Sequence, residues 1–343
     1  MKYTAITATC IATLAMASAA YARDFTIAAW GGNYQDAQRA AYFTDFAASK
    51  GLKLVETTYL GGLAELKTMS DTGDVIWDLI MMGGSDAQLA CDEGLLEEIN
   101  WDTLPHADEL IPAARKDCSV GSVIIGNGMG YNTEAFPEPP NSWADFFDLE
   151  KFPGKRGIRN APAMNLERAL IADGVPLDKV YEVLSTPEGV DRAFAKLDTI
   201  KSEMQFWDAG SQPVEWLLAG NVALSTGYNG RFISAKKDGK PLEYVWNEHI
   251  YNIDVWAVPK DSPFKAEAME FFAIANDAAA QAKFSALMPY GPTNSKAPDL
   301  IAPEAAANLP AGANNANALS FSDEFWIENN DALTERWANW VIQ

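Results

Sequence analysis

Short apolar runs alternate along the chain with longer segments in which apolar residues recur every three or four positions. The first run, residues 25–29, predicts a strand that breaks at Gly31 and Gly32, and residues 33–50 follow with helical spacing. Gly51 is placed to end that helix in a left-handed conformation. A further run at residues 76–82 is apolar throughout, as in a buried parallel strand. The alternation predicts an α/β protein whose mostly parallel sheets are flanked by helices.

The second half of the chain repeats this pattern after a strand at residues 122–132 that contains three glycines. Those glycines permit a crossover between two lobes, and they are equally typical of a β-bulge. Ser142 predicts the N-cap of the next helix, and a strand at residues 251–259 is placed as the return crossover. Residues 302–318, rich in Ala, Pro and Asn, predict an extended linker before a terminal helix.

A chain of 343 residues exceeds the usual size of one domain and suits two lobes. We expect residues 23–128 and 258–305 to form lobe I. Residues 129–257 and 306–343 are expected to form lobe II. Each lobe then has a mostly parallel sheet, and the crossover strands join the two.

The N-terminus has the pattern of a cleavable signal peptide. Lys2 precedes an apolar run from Ile6 to Ala20, and a small-x-small site predicts cleavage after Ala22. No later stretch approaches the roughly 20 apolar residues that a membrane span needs. We therefore expect residues 1–22 to be removed and the mature protein to be periplasmic and not inserted in the membrane.

The net charge limits the classes of binding partner, and the cysteines bear on disulfide formation after export. The formal net charge of −21 makes nucleic acid an improbable partner. Cys91 and Cys118 remain as an even pair after the leader is removed, and an exported protein meets an oxidising environment. A disulfide between them is predicted, and two buried free thiols are the alternative.

Signals for catalysis, a metal or a cofactor are weak. The chain has two histidines without partner spacing, no cluster with the form of a metal site, no Gly-x-Ser-x-Gly and no phosphate-binding glycine loop. Carboxylate pairs are too common in so acidic a chain to indicate acid–base chemistry. We expect a protein that is not an enzyme and that binds neither a metal nor a cofactor.

The candidate binding residues lie at predicted strand ends and crossovers. An aromatic face holds an ammonium group through its quadrupole, and a carboxylate adds charge and direction. Asp254 lies inside an otherwise apolar strand, so it must be paired or face a cleft; for the aromatic residues, core packing is the alternative. Ser85 can cap a helix as well as face the cleft. The candidates at this stage are Trp30, Tyr34, Ser85, Asp208, Tyr228, Asp254 and Tyr290.

The order of several short motifs resembles the periplasmic spermidine- and putrescine-binding proteins of ATP-binding-cassette (ABC) importers. The motifs, which cover nearly all the mature chain, are Trp30 and Tyr34 after the first strand, residues 77–80, 142–145 with 153–155, 228–230, Asp254 with 257–259, and 290–294. The resemblance implies the two-lobed periplasmic-binding-protein fold of type II, closure over a small ligand and delivery to a membrane permease. It also implies that Trp30, Tyr34, Tyr228 and Tyr290 form an aromatic cage and that Asp254 binds an amine.

The chain departs from that family in its charges. Around residues 159–164, where polyamine receptors resemble one another in having acidic residues, it has none, and Arg159 and Arg231 are present instead. A guanidinium in the cleft would repel a dication and would bind a carboxylate through paired hydrogen bonds. We therefore favour a zwitterionic amino compound such as 4-aminobutyrate. A putrescine or spermidine receptor, a secreted hydrolase on the same scaffold, and a sensory receptor are the alternatives, and a monomer is expected.

Overall fold

The computed structural model describes residues 23–343, so the predicted signal peptide lies outside it. Ten strands are connected in one mixed sheet, whose central path runs β2-β1-β3-β8-β4-β7-β5-β6. The strands are β1 Phe25–Ala29, β2 Leu54–Thr58, β3 Leu79–Gly83, β4 Ser119–Asn132, β5 Arg156–Arg159, β6 Met204–Trp207, β7 Leu224–Tyr228, β8 Leu242–Ala257, β9 Gly291–Pro292 and β10 Leu319–Ser320.

Helices connect these strands and cover both faces of the sheet. They are α1 Gly32–Gln38, α2 Thr44–Lys50, α3 Ala64–Thr72, α4 Gly84–Asp92, α5 Trp143–Phe147, α6 Asn165–Ala172, α7 Val180–Leu184, α8 Pro187–Asp198, α9 Gln212–Ala219, α10 Asn229–Lys237, α11 Lys265–Ala275, α12 Ala278–Leu287, α13 Pro303–Ala306 and α14 Asp323–Val341. A π-helical segment, Arg39–Phe43, joins α1 to α2, and Gly51 ends α2 at φ 62° as predicted.

Each lobe contains three parallel strands beside the long strands β4 and β8. In lobe I, β1 pairs in parallel with β2 and β3. In lobe II, β5 pairs in parallel with β6 and β7. The carboxyl ends of these strands face the junction of the lobes, where open α/β sheets bind ligands. The two-lobed α/β architecture predicted from the sequence is confirmed.

Strands β4 and β8 run antiparallel to each other through both lobes. Their register shifts between Gly121 and Val123 and again between Asn127 and Met129, so the glycine-rich strand is both a crossover and the site of two bulges. A Cβ on Gly128 would lie 2.5 Å from the Tyr244 hydroxyl, which explains why glycine is needed at this crossing. Strand β8 starts nine residues before the expected crossover because its first half pairs within lobe II.

Separate cores form on the two sides of the crossover. One cluster packs residues of α5, α6, α8 and α14 against lobe II, and it includes Phe325, Trp326 and Trp337 of the terminal helix. Two others pack lobe I, and they contain Trp256 and Val255 from the end of β8. The residue bounds expected for the lobes stay a prediction, although this packing places the end of β8 with lobe I rather than lobe II.

Two local expectations are wrong. Gly83, not Ser85, is the N-cap of α4, and Ser85 has no capping hydrogen bond because its hydroxyl is used elsewhere. Residues 302–318 are not an extended linker. They form α13 and a short 3₁₀ helix, Gly312–Asn315, since Pro303 suits the first position of a helix and alanines favour its interior. Ser142, by contrast, caps α5 as predicted, accepting from the Asp145 backbone N–H at 3.2 Å.

Cys91 and Cys118 form a disulfide, with their Cα atoms 5.6 Å apart. The bond ties the end of α4 to the residue just before β4, so it closes a loop within lobe I. Within residues 23–343, no helix has both the length and the apolar character of a membrane span.

Candidate ligand-binding site

Asp254 is the charged group at the centre of the junction. It lies on β8 opposite Gly83 of β3, and it is 6% exposed. Trp30 Nε1 donates to its Oδ2 at 2.9 Å, and Asn252 Nδ2 donates to its Oδ1 at 3.2 Å. None of the ion pairs within residues 23–343 includes it, so the alternative of a structural salt bridge does not hold.

Burial dominates the electrostatics of Asp254. Desolvation raises the pKa of its carboxyl from 3.8 to about 7, although the hydrogen bonds from Trp30 and Asn252 lower it. The carboxylates of Asp323 and Asp86 raise it further. A Cβ built on Gly83 meets no atom within 4 Å, and directly opposed residues of antiparallel strands point to the same face. Open space therefore lies next to a carboxylate that lacks a cation.

Trp30 follows β1 and forms one side of this space. Its ring is half-buried and lies against Tyr59, with the ring centroids 5.2 Å apart. Gly31 and Gly32, at φ 67° and 58°, turn the chain from β1 into α1, a conformation that favours glycine. The turn leaves the indole N–H directed at Asp254, so the tryptophan is not folded beneath the sheet.

Tyr34 and Tyr290 lie together on the lobe I side. Their ring centroids are 5.7 Å apart, and the buried Tyr34 hydroxyl has no hydrogen-bond partner. Burial raises the pKa of Tyr34, with a smaller effect from Asp254, and burial also raises the pKa of Tyr290. Tyr34 also packs edge-on against Phe284, so core packing accounts for part of its position.

The facing wall comes from the start of α10 in lobe II. Tyr228 precedes this helix, and its ring packs edge-on against Trp207 and also touches the core of lobe I. Asn229 donates to the Pro289 carbonyl of lobe I at 2.6 Å. Arg231 Nη1 reaches Asn33 Oδ1 of lobe I at 3.5 Å. These contacts join lobe II to lobe I, so the junction is closed in this structure.

The remaining candidates form no hydrogen bond with Asp254 within the described residues. Arg159 is exposed at the end of β5, and its guanidinium forms no hydrogen bond or ion pair within the described chain. Asp208 is exposed after β6, and its backbone N–H donates to Gln212 Oε1 at 2.9 Å. Ser85 Oγ donates to Asp323 Oδ1 at 2.6 Å, which links α4 of lobe I to α14 of lobe II. A ligand contact by any of these three stays a prediction.

Sequence reasoning missed three polar residues around the junction. Asn252 holds Asp254, and Asn127 Nδ2 in turn donates to Asn252 Oδ1 at 2.8 Å, so β4 and β8 orient the carboxylate together. Arg168 is buried on α6 in lobe II. Asparagines within apolar strands and an arginine on the buried face of a helix are the signals that could have pointed to them.

Two α/β lobes joined by crossover strands, with a buried acid and aromatic rings between them, define a receptor for small solutes. The chain belongs to the family of bacterial extracellular solute-binding proteins, and the sequence model of that family matches residues 25–311.

Among similar proteins, the gamma-aminobutyric acid-binding protein of Pseudomonas aeruginosa is 39% identical over 333 residues, which cover 96% of this chain and 95% of that protein. The spermidine/putrescine-binding periplasmic protein of Salmonella typhimurium is 24% identical over 277 residues, 76% of each chain. A solved structure of a GABA receptor superposes with a TM-score of 0.85 at 34% identity, covering 93% of this chain and 98% of the other.

Proposed function

We propose that the protein is the periplasmic receptor of an ABC importer for a small zwitterion, with 4-aminobutyrate as its ligand. The observation that carries the proposal is the opposition of charges across the closed junction. Lobe I presents Asp254, a buried carboxylate without a cation, and lobe II presents Arg231 on the facing helix. An amino acid with its two charges separated by a short apolar chain fits that arrangement.

The ammonium end is assigned to Asp254. The carboxylate is held by Trp30 and Asn252 from one side, which leaves the open space beside Gly83 for a donor. The rings of Trp30 and Tyr34 stand next to it and can present a face to a cation. A ligand ammonium supplies a positive charge beside this buried acid. Binding therefore offsets part of the cost of burying the ionised Asp254 carboxylate.

The carboxylate end is assigned to Arg231. The only hydrogen bond of its guanidinium within residues 23–343 is a long one, to Asn33 Oδ1, which a ligand carboxylate can replace with a charge-assisted pair. The exposed guanidinium of Arg159 at the end of β5 adds positive charge to the same lobe. No carboxylate pairs with either arginine within the described chain.

The binding free energy requires contacts at both ends of the ligand. A desolvated cation–π contact contributes about 2 kcal/mol and a hydrogen bond to a charged group about 1.5–3 kcal/mol, whereas micromolar affinity needs about 8 kcal/mol. Contacts from one lobe fall short of that sum. Closure brings both walls onto the ligand and excludes water, so opening and closing of the lobes accompany capture and release.

Export and delivery complete the proposal. The leader at residues 1–22 directs the chain to the periplasm, where the disulfide in lobe I is stable. The relatives by sequence include a gamma-aminobutyric acid-binding protein, which agrees with the ligand inferred from the charges. A membrane permease receives the ligand from the closed receptor, and the receptor acts as a monomer.

Calorimetry on ligand-stripped protein with 4-aminobutyrate, putrescine and spermidine tests this function. We expect 4-aminobutyrate to bind at micromolar concentration or tighter and the polyamines to bind at least about tenfold more weakly. Asp254→Asn should abolish measurable binding, whereas Glu335→Gln, an exposed acid on α14, should leave it unchanged. Binding of polyamines without binding of 4-aminobutyrate would reject the ligand and favour the polyamine receptor.

A further inference from the structure

Arg168 is a buried cation of lobe II. It lies on α6, is 4% exposed, and its Nη1 donates to Asn165 Oδ1 at 3.0 Å. Its Nε has no hydrogen-bond partner, and its guanidinium lies 5.0 Å from the Trp143 ring centroid. No ion pair within residues 23–343 includes Arg168, and a buried charge of this kind is costly unless a ligand completes it.

The adjacent acid forms no ion pair with Arg168 within the described residues, although its charge favours the charged guanidinium. Glu167 is also buried, but its Oε1 accepts from Trp326 Nε1 at 2.6 Å and from the Tyr181 hydroxyl at 3.2 Å, and its Oε2 has no partner. Desolvation raises the pKa of Glu167, which favours its neutral form. The two side chains therefore serve different surroundings, although they are neighbours in sequence.

Arg168 lies on a helix that is fixed to a strand end at the junction. Asn165 Nδ2 donates to the carbonyls of Arg159 and Ala161 at 2.8 and 2.7 Å, which fixes the start of α6 against the end of β5. Burial lowers the pKa of Arg168 to about 10; among the surrounding groups, Glu167 favours the charged guanidinium most, followed by the Tyr244 and Tyr228 hydroxyls, whereas the Arg159 charge opposes it. Tyr228 is the ring that touches lobe I across the junction. Arg168 therefore places a buried positive charge in lobe II near Tyr228, the ring that lies at the junction.

We propose that Arg168 determines the charge specificity of the receptor, favouring a ligand whose end opposite the ammonium is a carboxylate and disfavouring one with a second ammonium. The inference rests on the proposed function, because it takes the ammonium end to lie at Asp254. Arg231 touches the junction directly, and Arg168 adds a cation that solvent cannot screen, since its side chain is buried. The receptor therefore has selectivity that does not depend on one exposed arginine.

The test compares 4-aminobutyrate with putrescine, which differ in charge at one end. Arg168→Gln removes the charge and keeps a group that can bond Asn165. We expect it to lower affinity for 4-aminobutyrate about tenfold or more and to lower affinity for putrescine less, or raise it. Arg168→Lys should keep the wild-type preference. Arg192→Met, which removes an exposed arginine of lobe II, should leave both affinities unchanged.

The outcomes separate this inference from the proposed function. If the wild-type protein prefers putrescine, the proposed function and the inference are both overturned. If it prefers 4-aminobutyrate and Arg168→Gln weakens both ligands equally, Arg168 has a structural role only and the inference alone is overturned. Should the Gln variant fail to fold, Arg168→Met gives the same comparison, and 4-aminobutyramide on wild-type protein gives another. Equal affinity for that neutral-ended analogue would overturn both the inference and the assignment of the ligand carboxylate to lobe II.

Discussion

The pH dependence of ligand affinity is the sharpest consequence of the buried acid. Burial raises the pKa of Asp254 from 3.8 to about 7 in the free protein, and an ammonium ligand requires the ionised form. Below about pH 7, ligand binding must displace a proton, so affinity falls about tenfold per pH unit. Between pH 7.5 and 5.5 the dissociation constant should therefore rise roughly thirtyfold, since most of that interval lies below the pKa.

The buried Asp254 changes folding stability with pH in the opposite direction to an acid in a salt bridge. Because the folded-state pKa lies above the unfolded value, the folded protein holds the proton more tightly. Stability from this group is present below about pH 4 and is lost as pH rises towards 7, by about 4 kcal/mol in all. Asp254→Asn should thus stabilise the ligand-free protein at pH 8 while it removes binding.

Calorimetry of 4-aminobutyrate binding at pH 5.5, 6.5 and 7.5, in two buffers of different ionisation enthalpy, measures both affinity and proton release. At pH 6.5 we expect more than about half a proton to be released for each ligand bound, because most of the free protein is protonated there. Glu335→Gln is the control, because this exposed acid of α14 is not among the groups that shift the pKa of Asp254, and it should leave the pH dependence unchanged. Constant affinity across the range, with no proton released, would refute the assignment of the ammonium to Asp254.

Three further substitutions probe the junction and its support. Trp30→Phe keeps an aromatic ring but removes the N–H bond to the carboxylate, so 4-aminobutyrate affinity should fall about tenfold in calorimetry with little change in melting temperature; unchanged affinity would contradict its role. Gly230→Ala places a Cβ 2.7 Å from the Tyr290 ring, and should cost about 1–3 kcal/mol in chemical denaturation and weaken binding, whereas a fully stable variant would show that the ring moves aside. Replacing Cys91 and Cys118 with serine should lower the free energy of unfolding by about 2–4 kcal/mol and leave affinity intact, and a loss of affinity at full stability would contradict a purely structural bond.

The residues that the sequence identified share a local signature. Trp30 follows a strand and a glycine turn, and Asp254 interrupts an apolar run, so spacing alone places them at the edge of a sheet. Their mutual hydrogen bond joins positions 224 residues apart, and no local pattern predicts it. The sequence could predict that each residue has a polar partner or a cleft to face, but not which one.

The residues that it missed or misplaced depend on contacts between distant elements. Ser85 looked like a helix cap because it follows a strand and two glycines, but its hydroxyl bonds Asp323, 238 positions away. Charged residues on a helix usually face solvent, so the sequence alone does not single out Glu167 and Arg168. In the fold both are buried, because α6 packs against α8 on one side and α5 on another, leaving little exposed face on this short helix.

The unequal chemistry of the two walls links binding to closure. Within the described residues, neither Asp254 on one side nor Arg168 on the other forms an ion pair, and both are buried, so their charged forms are costly to keep dry. Under the proposed function, a zwitterion with its ammonium at lobe I and its carboxylate at lobe II would lower both costs only when the lobes meet, because different lobes contact its two ends. A ligand with the wrong charge at one end leaves one wall uncompensated, and so it weakens closure as well as contact.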